Sequence, residues 1–336
     1  MKQTVIGIDF GNSNVKIVKK DEGIILNQPN LLGLKKNNEN YACRYIGDSA
    51  KNMLGKTDDS VIIFSPINAG EIVNLDYAII ELKYFFKKLK IKTNFLNRLK
   101  IVMSIPTAIN DEQKEKYYAM CKALKAKEIA LVPQIMCCAI GEKINISANN
   151  ARLYVNIGGG TVDCAVINLN TIIKGSTLSL GGRNLDSTIV DFIQQKYKAS
   201  IGLNTAELLK EQIGSLYPND SAQMEVNAVD INSNRPLLLS VSASDIYEAT
   251  YMFLDEVVKI IKTTINTLSP EVSSDVVRNG VIVCGGYSKM IGIEKYLRQK
   301  LGINVYISDD SNNSTISGLY TLINQDDLLQ NILLNL

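Results

Sequence analysis

A short apolar strand that ends on an acid or its amide, passes through a glycine turn and returns as a second strand occurs twice in this chain. The first copy runs through residues 5–8, the turn Asp9-Phe10-Gly11-Asn12-Ser13-Asn14, and residues 15–18. The second runs through residues 153–157, the turn Gly158-Gly159-Gly160-Thr161, and residues 162–169. Laid over each other, Ile8-Asp9-Phe10-Gly11-Asn12-Ser13 matches Val155-Asn156-Ile157-Gly158-Gly159-Gly160. Such internal symmetry predicts two related α/β halves. The 336 residues leave room for about two domains.

Apolar periodicity fills in both halves. In the first, residues 27–40 read as an Asn-rich loop, 62–64 as a short strand, 74–90 as an amphipathic helix and 100–105 as a buried strand ended by Pro106. Asn110-Asp111-Glu112-Gln113 opens another helix. A strand over 129–132 and a helix over 135–143 follow. In the second half, 172–180 extends the meander, and Gly181-Gly182 opens a helix to Lys198. A helix over 205–214 has Asn204 and Glu207 in capping-box positions. A hairpin over 225–231 and 237–241 leads to a long helix over 244–268. The strand 281–284 meets a third glycine turn, Gly285-Gly286, which opens a helix to Lys300. The tail 326–336 is amphipathic; its Leu328, Leu329, Ile332, Leu333 and Leu334 could touch a membrane, but docking on the core is the leading expectation.

What the chain lacks narrows its chemistry. It has no histidine, which excludes Ser-His-Asp and Cys-His catalysis, His-ligated zinc and a histidine pH switch. Its 36 Lys+Arg against 34 Asp+Glu give a net charge of +2, so no global field captures nucleic acid and no direct nucleic-acid partner is expected. The six cysteines form no CxxC pair and lie mostly in apolar runs, as buried free thiols of a reducing cytosol would. No apolar run reaches the ~18 residues of a membrane-spanning helix. A cytosolic protein is expected.

The glycine turns point to phosphate. A turn without side chains exposes backbone N–H groups and lets a phosphate come close. Two hairpin turns facing across a cleft can hold β- and γ-phosphates from both sides, and a Gly-Gly before a helix suits an adenosine or an α-phosphate. The side chains agree. Asp9, at a strand end, is placed to hold Mg²⁺ through water. Asn12, Ser13 and Asn14 offer donors, Lys16 on the return strand can reach the β/γ-phosphates, and Thr161 adds a hydroxyl.

These motifs resemble those of the actin-like ATPases. Ile6-Gly7-Ile8-Asp9-Phe10-Gly11-Asn12-Ser13-Asn14 is similar to their first phosphate loop, Asn156-Ile157-Gly158-Gly159-Gly160-Thr161 to the second, and Ile282-Val283-Cys284-Gly285-Gly286 to the adenosine loop. Within that group the chain resembles the bacterial actin MreB. The resembling segments are 47–57, 66–73, 136–141, 202–214 with Thr205-Ala206-Glu207, and Gly318. Lys16 departs toward the plasmid-segregating actin ParM and actin itself. The resemblance implies an α/β actin-like ATPase fold, with four subdomains around a nucleotide cleft. Lobe I would span 1–150 with a small insert at about 30–75, and lobe II 151–336 with an insert at about 183–245. The C-terminal helices would return toward lobe I. It implies ATP (or GTP) with Mg²⁺, and subunits that stack head to tail into filaments. Gly11, Asn12, Ser13, Asn14, Lys16, Gly158, Gly159, Gly160, Thr161, Glu207, Lys210, Gly285, Gly286 and Tyr287 would bind the nucleotide. Glu207 would take the ribose hydroxyls, and Lys210 would lie near the adenine.

Two positions leave the MreB pattern. The second loop begins with Asn156 where the family has Asp, so the metal-holding charge beside Asp9 is lost. The family's water-orienting Glu is absent, and Gln134 is the candidate equivalent; a glutamine can orient water, as in Ras-type GTPases. With Asp9 and Thr161, Gln134 completes the candidate catalytic set, and hydrolysis is expected to be slow. Phe95 and Leu96 stand in a polar loop near Lys87, Lys88, Lys90, Lys92 and Arg98, which suits contact with the inner face of an anionic membrane. The leading expectation is a polymerising cytoskeletal protein used for cell shape. A plasmid- or phage-segregating filament is the alternative. A sugar kinase would need a general base, for which the candidates are Asp9 and Asp163, the latter read as a hairpin residue, and a chaperone ATPase would need a longer chain.

Overall fold

The computed structural model describes residues 2–37, 40–58, 60–91 and 97–335. Its frame is two five-stranded sheets built to the same plan. The first begins with an antiparallel meander of β1 (Lys2–Phe10), β2 (Asn14–Lys19) and β3 (Gly23–Pro29). A small three-stranded sheet follows, from β4 (Leu32–Asn37), β5 (Asn40–Ile46) and β6 (Val61–Phe64), with α1 (Asp48–Lys51) after β5. A hairpin of β7 (Ile67–Asn68) and β8 (Glu71–Ile72) leads to α2 (Leu75–Lys88). Then β9 (Asn97–Ile105) pairs with β1 in parallel, α3 (Asp111–Ala123) crosses over, and β10 (Glu128–Pro133) pairs with β9. The helix α4 (Gln134–Gly141) carries the chain to the second half.

There the plan repeats. The meander is β11 (Arg152–Ile157), β12 (Val162–Asn168) and β13 (Thr171–Leu178). Next come α5 (Gly182–Tyr197), β14 (Ala199–Ser200), α6 (Leu203–Ile213), β15 (Gln223–Asp230) and β16 (Pro236–Ser242), whose strands form a separate sheet. After α7 (Ala243–Asn266) and α8 (Pro270–Asn279), β17 (Val281–Cys284) joins β11 in parallel. Helix α9 (Ile293–Leu301) precedes β18 (Val305–Ile307), which joins β17. Two helices, α10 (Ser314–Asn324) and α11 (Asp326–Leu334), close the chain. The orders β10-β9-β1-β2-β3 and β18-β17-β11-β12-β13 correspond strand for strand, which is the predicted internal symmetry.

Each sheet has its own apolar core, and a third core joins them. That third core holds Val5 and Val102 of the first sheet, Tyr154 and Ala165 of the second, and Ile316 and Leu319 of α10. The junction depends on glycine. A Cβ on Gly318 would lie 1.8 Å from the Cys137 carbonyl oxygen, and one on Gly141 would lie 2.0 Å from that of Ser314. So α4 and α10 touch backbone to backbone. The tail docks on the core as expected: Leu329 and Ile332 of α11 are buried, and Lys100 holds Asp326 at 2.8 Å.

Four local expectations need correction. Within the expected loop over 27–40, residues 27–29, 32–37 and 40 lie in strands. Leu32 and Leu34 are buried, so apolar side chains at strand spacing override the Asn-rich composition there. Helix α6 starts at Leu203 after an extended Gly202, so Asn204 and Glu207 lie inside it and form no capping box. The Gly285-Gly286 turn opens only a short 3-10 turn, Gly286–Lys289; Gly292, at φ 85°, breaks the backbone before α9 begins. Helix α8 escaped the pattern altogether, although Ser269 caps it and Pro270 stands at its first position.

Candidate functional site

Parallel strands of an open sheet leave a crevice at their carboxyl ends. Here the carboxyl ends of β1, β9, β11 and β17 face one cavity of about 700 Å³. It is lined from the first half by residues 9–14 and Lys16, and from the second by residues 158–161 and 285–287. Gln134, Asn156, Glu207 and Lys210 complete the wall. Every nucleotide, metal and catalytic candidate read from the sequence therefore reaches this one space. The two membrane candidates, Phe95 and Leu96, lie outside the described residues.

The two hairpin turns close in the same way. Gly11 N donates to Asn14 O at 3.0 Å, and Gly158 N to Thr161 O at 2.8 Å. They also meet face to face: a Cβ on Gly159 would lie 1.9 Å from Ser13 Oγ, and one on Gly160 would lie 2.2 Å from Asn12 Cγ. A larger residue at either place would have to push aside the Ser13 or Asn12 side chain. The first turn is braced from behind by Asn30, whose amide donates to Gly11 O at 2.9 Å. Asn12 turns its side-chain oxygen to the Gly70 amide at 3.0 Å, so only its NH₂ is left for a ligand. The second turn is braced by α5, whose Gly182 and Arg183 amides donate to the carbonyls of Gly158 and Gly159. Gly285 is at φ 89°, and a Cβ there would strike the Ile157 carbonyl oxygen at 2.3 Å.

Asp9 and Asp163 are buried beside the two hairpin turns, and Asp186 is buried near the start of α5. Asp9 accepts a hydrogen bond from Ser104 Oγ at 2.8 Å. Burial raises its pKa, against the pull of Lys16 and Ser104. Asp163 is fully buried and takes Thr107 N at 2.7 Å, Thr177 Oγ1 at 2.8 Å and Thr161 Oγ1 at 3.1 Å. Burial raises its pKa too, and those hydrogen bonds oppose the rise. The Thr161 hydroxyl is thereby aimed at Asp163 in this structure.

Cations and their partners ring the rest. Burial lowers the pKa of Lys16, which donates to Asn312 O and to Asn313 Oδ1. Lys210 is held by Asp186 and by the Gly182 carbonyl at 3.0 Å. Glu207 faces Lys51 at 2.9 Å, and both line the cavity. Gln134 opens α4 directly after Pro133, which ends β10.

Residues 3–331 match the family model described as MreB/Mbl protein. The chain belongs to the MreB/Mbl family. It is an actin-like cytoskeletal protein, and the segregation-filament and sugar-kinase readings are not favoured. A curated relative, the cell shape-determining protein Mbl of Bacillus cereus, is 29% identical over 325 residues, covering 96% of this chain and 97% of that one. Among solved structures, MreB 5 of Spiroplasma citri bound to AMPPNP has a TM-score of 0.92 at 26% identity, with 100% of both chains covered. A MamK chain from a double helical filament has a TM-score of 0.80 at 18% identity, covering 96% of this chain and 99% of that one; that likeness is one of fold.

Within this MreB/Mbl chain, the structure adds residues that sequence reading missed. Arg183 and Asp186 line the cavity from the start of α5, Ser104 from the end of β9, and Asn312 and Asn313 from the loop before α10. Arg183 directly follows the Gly181-Gly182 pair, which was the one available signal. Among the described residues no three His, Cys, Asp or Glu side chains cluster to hold a metal. No described helix is long and apolar enough to cross a membrane. The six cysteines are free; five are buried and Cys43 is half-buried, and burial pushes the Cys164 thiol up to about 12.

Proposed function

We propose that the cavity binds ATP with Mg²⁺ and that nucleotide-bound subunits polymerise head to tail into filaments that serve cell shape. One observation carries this reading: both glycine hairpins and the Gly285-Gly286 turn converge on one cavity between the sheets. The cavity suits the group. Gly11, Gly158 and Gly285 spend their amides inside the fold, while the backbone amides of Asn12, Ser13, Gly159 and Gly160 donate to no described group and are open to phosphate, and Lys16 supplies a buried cation. That the Spiroplasma relative binds AMPPNP, and that the Bacillus relative is cell shape-determining, support the same reading.

Bound ATP would supply the phosphoanhydride bond. The chain's own residues would do the rest. The amides of the two turns and Lys16 would hold the phosphates. Asp9 and Asn156 would hold the metal, mostly through water, since Mg²⁺ keeps much of its hydration shell. Thr161 and Gln134 would orient water, and Glu207, Lys210 and Tyr287 would receive the nucleoside. With amides at 134 and 156, Asp9 is the carboxylate left for the metal, so hydrolysis is slow. Exposed Lys87, Lys88 and Arg98 support peripheral contact with an anionic membrane.

Light scattering with ATP, followed by electron microscopy, tests the main claim. ATP-dependent filaments are expected. Absence of both scattering and nucleotide binding overturns the reading. For the membrane, liposome pelleting of a Phe95→Ser/Leu96→Ser variant is expected to fall, and unchanged pelleting discards these two residues as the contact.

A further inference from the structure

Lys16 is the buried cation of the cavity, yet it forms no ion pair of 4 Å or less with a described residue. Its amine donates to the Asn312 carbonyl and to Asn313 Oδ1 at 3.1 Å. Both acceptors are uncharged. An ammonium has three donors, so one remains. The other face of the Asn313 amide is engaged as well: Nδ2 donates to Asp310 Oδ1 at 3.0 Å and to Oδ2 at 3.3 Å. The backbone amide of Asn313 donates to Asp310 O at 2.8 Å, which fixes the side chain's origin. One primary amide thus stands between a lysine of the first half and an aspartate of the loop before α10. It gives its carbonyl to the cation and its NH₂ to the anion.

We propose that Asn313 is a positioning residue that insulates the Lys16 ammonium from the Asp310 carboxylate, so that the charge stays available to the phosphates of a bound nucleotide. The physics is direct. A cation resting on a carboxylate in a partly buried site acts outward as a dipole, and its pull on a third charge falls accordingly. A cation resting on two carbonyl groups keeps its full charge and loses only its freedom to move. The same loop donates nothing to Lys16 and touches the adenosine turn, since Gly285 N donates to Ser311 O at 2.9 Å. It therefore sets Lys16 and the Gly285-Gly286 turn relative to each other. Three other charged groups bear on Lys16 (Asp9, Asp310 and Lys289), and Asp9 is engaged by Ser104.

This assignment rests on the reading of the cavity as a nucleotide site, and the test separates the two. Fluorescent methylanthraniloyl ATP and AMP are titrated into the full-length wild type and into Lys16→Met, Asn313→Ala, Asn313→Asp, Asn313→Ala/Asp310→Asn and Lys16→Met/Asn313→Ala. Loss of a hydrogen bond to a charged group sets the scale at about tenfold. Asn313→Ala is expected to weaken ATP by about that factor and to leave AMP unchanged. Asn313→Asp, which places a carboxylate on the lysine, is expected to weaken ATP further. Adding Asp310→Asn to Asn313→Ala is expected to restore ATP to within about twofold of wild type, a rescue that a merely structural role would not give. In the Lys16→Met background, Asn313→Ala is expected to do nothing more. Equal losses for ATP and AMP, or no rescue by Asp310→Asn, overturn the assignment while leaving the nucleotide site standing. A wild type that binds neither probe overturns the site itself, and the assignment with it.

Discussion

The Asp163 carboxylate, on a strand of the second sheet, receives the backbone amide of Thr107, from the turn after β9 of the first, at 2.7 Å. Its remaining capacity takes the Thr177 and Thr161 hydroxyls. One buried anion therefore ties the second glycine turn, the edge of its sheet and the opposite half together. Asp163→Ala strands three donors at once. At roughly 1 kcal/mol or more for each stranded group, a loss of about 3 kcal/mol is expected. Asp163→Asn keeps an acceptor for Thr107 and is expected to cost about half as much. Urea unfolding monitored by circular dichroism measures both. A cost below about 1 kcal/mol for the alanine variant would show that water or rearrangement satisfies these groups.

Glu81 of α2 is fully buried, and neither of its carboxylate oxygens has a hydrogen-bond partner among the described residues. Burial raises its pKa well above 4.5, against a weaker pull from Arg183. The folded state thus binds a proton that the unfolded state has released. Stability is full below the unfolded pKa and falls as pH rises from there through the folded pKa, by about 1.4 kcal/mol per pH unit. Glu81→Gln has no proton to lose. Its stability relative to wild type is expected to rise with pH across that window, in unfolding titrations at pH 5, 6, 7 and 8. A difference that stays flat over the series would mean that the carboxyl is solvated.

The sequence shows its turns and hides its contacts. Gly158, Gly159 and Gly160 stand out because a run of glycine after an apolar strand has few other uses, and the copy at Gly11 gives the symmetry. Strand and helix periods follow from which faces are buried, so α2, β9 and β17 are legible. Arg183 and Asp186 are not, since their place depends on α5 docking its first amides on the second turn. Asn313 is hidden for the same reason. An Asn-Asn pair in a loop has no period, and its meaning lies in Lys16, nearly three hundred residues away in the chain. Composition misled at residues 32–37, where asparagines nearby suggested a loop and the buried Leu32 and Leu34 belong to a strand.

Gly318 lets α10 lie directly on the α4 backbone, a methyl group there falling 1.8 Å from the Cys137 carbonyl oxygen. Backbone cannot yield as a side chain does. Gly318→Ala is expected to force the two helices apart and to destabilise the protein by about 3 kcal/mol, at the upper end of the usual cost of overpacking. Since α4 and α10 join the two sheets, ATP-dependent light scattering is expected to fall with stability. A variant as stable as wild type in urea would place the helices farther apart than described.

Lys51 and Glu207 stand opposite each other at 2.9 Å on the cavity wall, and Asn204 Nδ2 donates to Leu54 O at 3.4 Å beside them. These contacts join the α1 region to α6 over the cavity. Both ends of the ion pair are partly exposed, so the pair is worth no more than about 1 kcal/mol. Lys51→Met is expected to speed release of methylanthraniloyl-ATP by up to about fivefold. Wild-type release is expected to quicken with salt and that of the variant to respond less, because a solvent-facing pair is screened. Equal salt dependence in the two proteins would remove the pair from the exit path.

Gln134 and Asn156 share the cavity with Asp9, and each is the amide of an acid that the MreB pattern would place there. An amide keeps shape and a carbonyl oxygen but carries no charge for a metal and no basic oxygen for water. General-base assistance contributes roughly 10²–10⁴-fold. Gln134→Glu and Asn156→Asp are therefore each expected to raise the rate of phosphate release at least about tenfold, with ATP affinity little changed because backbone amides carry most of the phosphate contact. The double variant is expected to exceed both. A coupled phosphate-release assay at saturating ATP and Mg²⁺ measures this. Wild-type hydrolysis already as fast as the double variant would show that the amides are not what limits the rate.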